Sequence, residues 1–439
     1  LNPPAPLLRS PAGPSAGENA MALESAARAQ NLGFPSIAAE IYEQLLKVPG
    51  GDRKALTMAL ATSLLDAGRP ADAEKALATL PEPRGPAWHL RTGLAALQLD
   101  QRDTAQASWD AIEEEELPLA DRAWYWYLGG ALWDTAPVRD VTKANEFYLK
   151  AEAAAPTEFG RVQFQLAAEN VRLRLGVHSD GYLRLRENYE RYRGMQLGYL
   201  SAELVAISLN LQEKKGEAVT FLQSVLVALP RQEEVAWDRL RLILGLIGDR
   251  GRGGAGRNGL EQLLENGNGA ERQRQALQLL ADASRSEPER GLFRLALNRL
   301  IGSSTPHRIL ENLLYHRAQL ALADADYVQA ERDANLLLSQ FPGSALRAHA
   351  YGVLTQSAWE QRRFRSVANN ARKTRAEFPL DAGKVRSDLG VLEAEAWYRA
   401  GLSAEAGGQG DFRNAADTYA AVLREWSAGG ETLKSGELM

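Results

Sequence analysis

The 439-residue sequence contains no cysteine. Disulfides, thiolate nucleophiles, zinc–thiolate sites and lipid attachment through a thiol are therefore excluded within it. Histidine is scarce, and its five residues never have the i,i+4 spacing of a helical metal site: His89, His178, His307, His316 and His349. The nucleophile motif Gly-x-Ser-x-Gly is also missing. We therefore predict no catalytic residue, no metal site and no cofactor.

Long apolar runs and an excess of one charge are missing as well. The best charge-free stretches, residues 123–133 and 218–230, are shorter than the roughly 20 residues that a spanning helix needs. The net charge of −5 is small for a chain of this length. No strong overall field attracts the chain to nucleic acid or to an anionic membrane. We expect neither a transmembrane segment nor a nucleic-acid partner.

What the sequence does contain is a recurring trio: a small residue, a residue four positions later that is usually bulky, and a third residue three positions after that. Seven segments carry it: Ala38/Tyr42/Leu45, Ala73/Leu77/Leu80, Ala105/Trp109/Ile112, Ala144/Tyr148/Ala151, Ala218/Leu222/Val225, Ala330/Ala334/Leu337 and Ala415/Tyr419/Val422. Offsets of four and three place each trio on one face of a helix. The first four trios begin 35, 32 and 39 residues apart. This period predicts an all-α array of helix hairpins.

Several segments resemble tetratricopeptide repeats. Residues 123–132 place aromatics before Leu-Gly-Gly, as the first helix of such a repeat does. Residues 326–331 resemble its turn, and Phe341-Pro342 and Phe378-Pro379 resemble its exit. The resemblance covers most of residues 18–427. It implies a right-handed solenoid of antiparallel helix hairpins, a superhelix whose first helices line the binding face.

The exit Phe341-Pro342-x-Ser344 and the Ala-rich helix after it show a narrower likeness. They are similar to segments of bacterial envelope repeat proteins, namely outer-membrane assembly lipoproteins and periplasmic division coordinators. A chain without thiols suits an oxidising compartment. We therefore expect the periplasm or cell envelope of a bacterium, with the cytoplasm as the alternative.

The expected organisation has five segments. They are a disordered Pro-rich lead-in over 1–17, an N-terminal array over 18–248, a Gly-rich loop or hinge over 249–270, a C-terminal array over 271–427 and a flexible tail over 428–439. Five prolines among the first fourteen residues disfavour a packed core there. The first residue is leucine and not methionine, so we expect a processed chain or a fragment.

The Gly-rich segment 249–270 allows two interpretations. Glycines concentrated within 251–259 could cradle a phosphate, but a phosphate loop follows a strand and usually carries Lys-Ser/Thr. Here a helix is expected before the segment, and Gly-Lys-Ser/Thr is absent. The pattern therefore favours a flexible loop or a hinge between two arrays.

The expected partner-binding surface lies in the C-terminal array. Four of its residues lie on successive first helices: Tyr315, Arg317, His349 and Gln356. The other three lie on a basic helix between residues 362 and 375: Arg362, Arg365 and Arg372. The basic segment allows two interpretations, a solvated face whose Arg stems cover apolar neighbours or a surface that binds acidic peptides. A second basic segment, residues 182–193, mixes Arg and Tyr and allows the same two interpretations.

The leading functional hypothesis is a non-catalytic scaffold that binds an extended peptide or helix of a protein partner in its groove. One alternative is a helical-toroid enzyme acting on polysaccharide, because four acids follow tryptophans: Asp110, Asp134, Asp238 and Glu360. A glycosidase needs two such acids about 5–10 Å apart across one cleft. An RNA-binding repeat array is a third possibility, but no regular base-reading positions are present.

Overall fold

The computed structural model describes residues 16–49, 51–177, 181–230, 233–379, 382–404 and 408–428. The chain divides into two compact units, Leu1–Pro230 and Arg231–Met439. The described part of each unit is built from α-helices, with one short 3-10 helix at Glu114–Glu116. The chain is therefore all-α, as the repeat period predicts.

In the first unit, consecutive helices pair as hairpins. The helices are α1 (Ala16–Asn31), α2 (Pro35–Lys47), α3 (Arg53–Asp66), α4 (Pro70–Ala78), α5 (Pro86–Gln98), α6 (Arg102–Asp110), α7 (Leu119–Thr135), α8 (Val141–Ala153), α9 (Glu158–Arg174), α10 (Tyr182–Arg191), α11 (Gln196–Leu211) and α12 (Lys215–Ala228). The first helices of successive hairpins also touch, because α5 packs on α3 and on α7, and α11 packs on α9.

The second unit continues the same plan. Its helices are α13 (Glu234–Ile247), α14 (Ala255–Asn266), α15 (Ala270–Ala283), α16 (Glu287–Ile301), α17 (Leu310–Ala323), α18 (Tyr327–Gln340), α19 (Arg347–Glu360), α20 (Phe364–Glu377), α21 (Gly383–Ser403) and α22 (Gln409–Ala428). Here α13, α15, α17 and α19 are the first helices of successive hairpins, and each packs on the next. The solenoid of antiparallel hairpins is thus present in both units.

Local sequence signals set the helix starts. Pro35 opens α2 just after Gly33, which has a positive φ of 84° that glycine adopts without strain. Asp52 caps α3 by accepting a hydrogen bond from the Ala55 amide at 3.0 Å. Asp326 caps α18 in the same way, through the Gln329 amide at 3.1 Å.

The alanines that open the seven trios lie in the core. Ala38, Ala73, Ala105, Ala144, Ala218 and Ala330 are fully buried, and Ala415 nearly so. A small residue lets the second helix of a hairpin approach the first closely. The trio therefore marks the buried face of the second helix, which confirms the prediction.

The Gly-rich segment differs from the expected loop, because most of it forms α14. The stripe Leu260, Leu263 and Leu264 is buried in the core of the second unit. A Cβ on Gly259 would lie 3.2 Å from the Leu244 side chain and 3.3 Å from the Arg241 carbonyl oxygen. The glycines of α14 therefore serve close packing against α13, and the sequence-based interpretation as a flexible loop or hinge is wrong for residues 255–266.

The domain limits differ accordingly. The boundary between the units falls after Pro230, so that α13 belongs to the second unit with its partner α14. The expected lead-in and tail lie outside the described residues except at their inner ends, where α1 begins at Ala16 and α22 ends at Ala428. In the described part of the chain, no helix is long and apolar enough to cross a membrane.

Candidate functional site

The second unit has an open groove across its first helices. The groove lies between α17 and α19, and its volume is about 620 Å³. Ten residues line it: Tyr315, Gln319, Leu322, Ala323, Ala348, His349, Gly352, Val353, Gln356 and Phe378. We call this surface the α17/α19 groove. It contains three of the seven residues expected to bind a partner, Tyr315, His349 and Gln356.

Helical spacing explains why these side chains share one surface. On α17 the lining residues Tyr315, Gln319 and Leu322 follow at steps of four and three. On α19 the lining residues His349, Val353 and Gln356 follow at the same steps. Since α17 and α19 pack side by side, the two stripes form the opposite walls of one groove.

The two walls carry an aromatic pair. The rings of Tyr315 and His349 meet edge to face, with centroids 5.6 Å apart. The Tyr315 hydroxyl accepts a hydrogen bond from Gln319 Nε2 at 2.6 Å. Burial raises the pKa of the Tyr315 phenol, so that the hydroxyl stays protonated at neutral pH. The pair contributes two packed aromatic rings to the surface of the groove.

The two walls also carry apolar and amide side chains. Leu322, Val353 and Phe378 supply the apolar part of the lining. Gln356 is exposed, and its Nε2 donates to the Glu360 carboxylate at 2.5 Å. Phe378 was not among the binding residues expected from the sequence. The Phe-Pro exit after α20 was a usable signal, since an aromatic residue at a hairpin exit is expected to pack against a neighbouring hairpin.

Arg317 does not belong to the groove lining. Its Nε and Nη2 donate to the two carboxylate oxygens of Asp333 at 2.8 and 2.7 Å. Its Nη1 donates to the Asn298 side chain at 3.0 Å. Asp333 is fully buried. The expectation that Arg317 faces a partner is therefore replaced by a structural role, in which it ties α17 to α18 and α16.

The basic helix α20 uses its arginines in ion pairs with other helices. Arg365 pairs with Asp411 at 2.8 Å, and Arg372 pairs with Glu393 at 2.7 Å. Both carboxylates are buried, while both arginine side chains stay largely exposed. The geometry therefore supports the solvated-face interpretation of this segment over acidic-peptide binding.

The remaining cations of this region are placed differently. Arg363 and Arg375 pair with Glu331 and Glu425. Arg362, the last of the predicted site residues, is exposed in the turn before α20 with a positive φ of 55°. The structure thus brings Tyr315, His349 and Gln356 together in one groove and places the four predicted arginines outside its lining.

The second basic segment, α10, is also paired. Arg184 contacts the buried Glu169 at 2.7 Å, and Arg191 contacts Glu158 at 2.9 Å. Arg186 lies over the Phe221 ring, 4.9 Å from its centroid. These contacts give the Arg/Tyr pattern a structural explanation.

Metal ligation has no geometric support in the part of the chain that the structure describes. Within these residues no group of three or more His, Asp or Glu side chains converges as a metal site. Four of the five histidines are covered by that statement, whereas His178 lies outside the described residues. His316 packs edge to face on Tyr315 behind the groove, and burial lowers its pKa to about 4, so that its ring is neutral.

Comparison with known proteins returns likeness at the level of structure alone. No protein-family model matches the chain, and no curated protein matches it. One chain in the crystal structure of the APC/C hetero-tetramer Cut9–Hcn1 aligns with this protein. The alignment covers 93% of this chain and 97% of that chain, at 12% sequence identity and a TM-score of 0.24. A chain in the structure of Naa15/Naa10 bound to HypK-THB also aligns with this protein. The alignment covers 94% of this chain and 73% of that chain, at 14% sequence identity and a TM-score of 0.25.

A third solved structure, the human IFIT1 dimer with m7Gppp-AAAA, aligns with 94% of this chain and 91% of its own. The identity is 14% and the TM-score 0.33. Values this low carry no argument about partner or activity. The chain is an all-α array of antiparallel helix hairpins. That statement rests on its own helices, their pairing in both units and the buried alanine of each trio.

Proposed function

We propose that the chain is a non-catalytic scaffold and that the α17/α19 groove binds an extended segment or a helix of a protein partner. The observation that carries the proposal is an open groove lined by apolar, aromatic and amide side chains, built on adjacent first helices. Aromatic groups often supply much of the binding energy of an interface, and Tyr315 and His349 contribute an aromatic pair to this lining.

Gly352 keeps the groove open. It lies on α19 among the lining residues, and a Cβ built on it has no heavy atom within 4 Å. A larger side chain at this position would extend into the groove without displacing the protein's own atoms. Occupancy of the groove can therefore be tested without damaging the fold.

The partner expected from the sequence was a protein or peptide, with acidic peptides as one class. Since Arg365 and Arg372 already neutralise buried carboxylates, charge complementarity to an acidic partner loses its basis. We propose instead a segment that combines apolar side chains, which pack against Leu322 and Val353, with groups that hydrogen-bond to glutamine amides.

The test is selection of random 12-residue peptides on the chain, followed by calorimetric measurement of their affinity. Gly352→Leu should weaken the selected peptides at least tenfold, because the leucine occupies their site. Gly291→Leu is the matched control, since Gly291 lies within α16, outside the groove lining, and its Cβ also has no neighbour within 4 Å. The proposal would be contradicted if the selected peptides bound both variants with the same affinity as the unchanged chain. It would also be contradicted if the selection recovered no peptide.

The compartment is part of the same proposal. The lack of cysteine and the exit Phe341-Pro342-x-Ser344 with the Ala-rich helix after it support a bacterial envelope assembly. Fractionation of the source cells with an antibody against this chain tests it. Recovery in the periplasmic or membrane fraction supports the assignment, and recovery in the cytosol would overturn it.

The polysaccharide-enzyme alternative gains no support from the acids that follow tryptophans. Asp238 is buried and accepts hydrogen bonds from the amides of Asn268 and Gly269 at 3.0 and 2.8 Å. Asp134 pairs with Arg174 at 2.6 Å. Both carboxylates are engaged in holding helices and turns, which is a structural role.

A further inference from the structure

The first unit contains a small pocket, lined by both charged and apolar side chains, that the function proposed above does not use. It lies where the first helices α3, α5 and α7 meet, with α9 at its edge, and its volume is about 50 Å³. A water molecule occupies roughly 30 Å³ of liquid, so the pocket has room for one small head group. We call it the Asp66 pocket.

The guanidinium of Arg91 is already fully engaged in this pocket. Its Nη1 and Nη2 donate to the two carboxylate oxygens of Asp121 at 2.9 and 3.1 Å. Its Nε donates to the Thr62 hydroxyl at 2.8 Å, and Nη1 also reaches the Ala87 carbonyl at 3.0 Å. The bidentate pair is largely buried, so the positive charge of Arg91 is neutralised by the carboxylate of Asp121.

Asp66 is the second carboxylate of the pocket. It accepts a hydrogen bond from Gln30 Nε2 on α1, and the positive charge of Arg91 attracts it electrostatically. With both acids ionised, the pocket holds two negative charges against one positive charge. It is therefore short of one cation.

The surroundings of Asp66 reinforce this deficit. Burial raises its pKa to about 7, and the opposing effects of Arg91 and Gln30 do not offset the burial. The other charged or titratable groups that face it are Asp121, held by Arg91, and Tyr127, whose pKa is also raised by burial. A cation placed beside Asp66 would favour its ionised form.

Aromatic walls stand beside the carboxylate. Trp124 and Tyr127 on α7 line the pocket, and their rings meet edge to face with centroids 5.6 Å apart. Aromatic faces attract cations and cover methylene groups. The combination of an under-compensated carboxylate and two aromatic rings is complementary to an alkylammonium group.

We propose that the Asp66 pocket binds the primary ammonium group of a lysine side chain presented by a partner protein. The ammonium donates to the Asp66 carboxylate, and the lysine methylenes lie against Trp124 and Tyr127. A guanidinium is larger than the pocket readily holds, which selects lysine over arginine. The site lies in the first unit and does not depend on the α17/α19 groove, so Gly352→Leu should leave it intact.

Two probes test the chemistry at constant ionic strength. The carboxyl carbon of Asp66 is titrated by ¹³C NMR in the presence of n-butylammonium or of n-butanol, which has the same alkyl chain without the charge. Butylammonium should lower the pKa of Asp66 by about one unit, because linkage makes its affinity for the ionised form about tenfold higher than for the protonated form. Butanol should leave the pKa unchanged. An equal effect of both probes, or of neither, would overturn the proposal.

Variants and peptide probes complete the test at pH 8. Asp66→Asn should weaken butylammonium binding at least tenfold, whereas Asp72→Asn, which removes the same charge from a partly exposed position of α4 outside the pocket, should not change it. Nα-acetyl-lysine methylamide should bind and Nα-acetyl-norleucine methylamide should not. Binding of butylammonium but not of the blocked lysine would assign the pocket to free amines and overturn the lysine assignment. Unchanged affinity in Asp66→Asn would overturn the site itself.

Discussion

Arg317 and Asp333 form a bidentate ion pair between α17 and α18, with both nitrogen–oxygen distances below 3 Å. The carboxylate has no exposed surface, and the arginine side chain is mostly buried. Arg317, which was predicted from the sequence to contact a partner, therefore forms an ion pair inside its own hairpin. The pair lies close to the α17/α19 groove and fixes the helix that carries Tyr315.

This pair gives the first prediction. Asp333→Ala should lower the free energy of unfolding by about 3 kcal/mol, because it leaves a buried guanidinium without its counter-charge. Urea unfolding followed by circular dichroism measures the change. The double variant Arg317→Met/Asp333→Leu replaces both charges by apolar groups and should recover most of the loss. A double variant as unstable as Asp333→Ala would show that the charge is not the cause.

The second prediction concerns the basic helix α20. Arg372→Glu places a like charge beside the buried Glu393, and we expect a loss of about 1–2 kcal/mol because Arg372 itself is exposed. Peptide affinity in the α17/α19 groove should not change. Arg413→Glu on exposed α22 is the control and should stay within about 0.5 kcal/mol. Loss of peptide binding without loss of stability would restore α20 as a binding surface.

The third prediction follows from Asp66. Its folded pKa of about 7 lies above the ordinary aspartate value of 3.8, so the folded state binds more protons than the unfolded state between these pH values. The contribution of this group to stability is therefore fully present at low pH and is lost as the pH rises toward 7. Because part of Asp66 is exposed, we expect a loss of about 1–2 kcal/mol.

The measurement compares Asp66→Asn with the unchanged chain by urea unfolding at pH 4 and pH 8. The asparagine keeps an acceptor for Gln30 and cannot ionise. Relative to the unchanged chain, the variant should therefore be more stable at pH 8 than at pH 4. The same difference at both pH values would show that Asp66 titrates normally.

The fourth prediction contrasts two helical glycines. Gly259→Leu should destabilise the chain by about 1–3 kcal/mol, because its Cβ would already crowd Leu244 and the Arg241 carbonyl. Gly352→Leu should stabilise it by up to about 0.8 kcal/mol through helix propensity, since open space surrounds that position. Thermal unfolding by calorimetry gives both changes. Equal effects would mean that α14 does not pack as described.

The sequence by itself determined the repeat architecture, because its signals are local. Spacings of four and three residues define one helix face, and Gly-Pro or Asp-capped starts define where helices begin. The same spacing placed Tyr315 on one stripe and His349 and Gln356 on the next, which is why these three predicted residues meet in one groove.

Tertiary structure decided how the charges and glycines are used. Arg365 and Asp411 are 46 positions apart, and no local pattern indicates that they pair. The glycines of α14 resemble a flexible loop in sequence and become close-packing positions only because α13 lies against them. The Asp66 pocket likewise combines side chains from several hairpins. Helix periodicity sets which face of a helix is buried, whereas the partner of each side chain depends on which hairpins become neighbours.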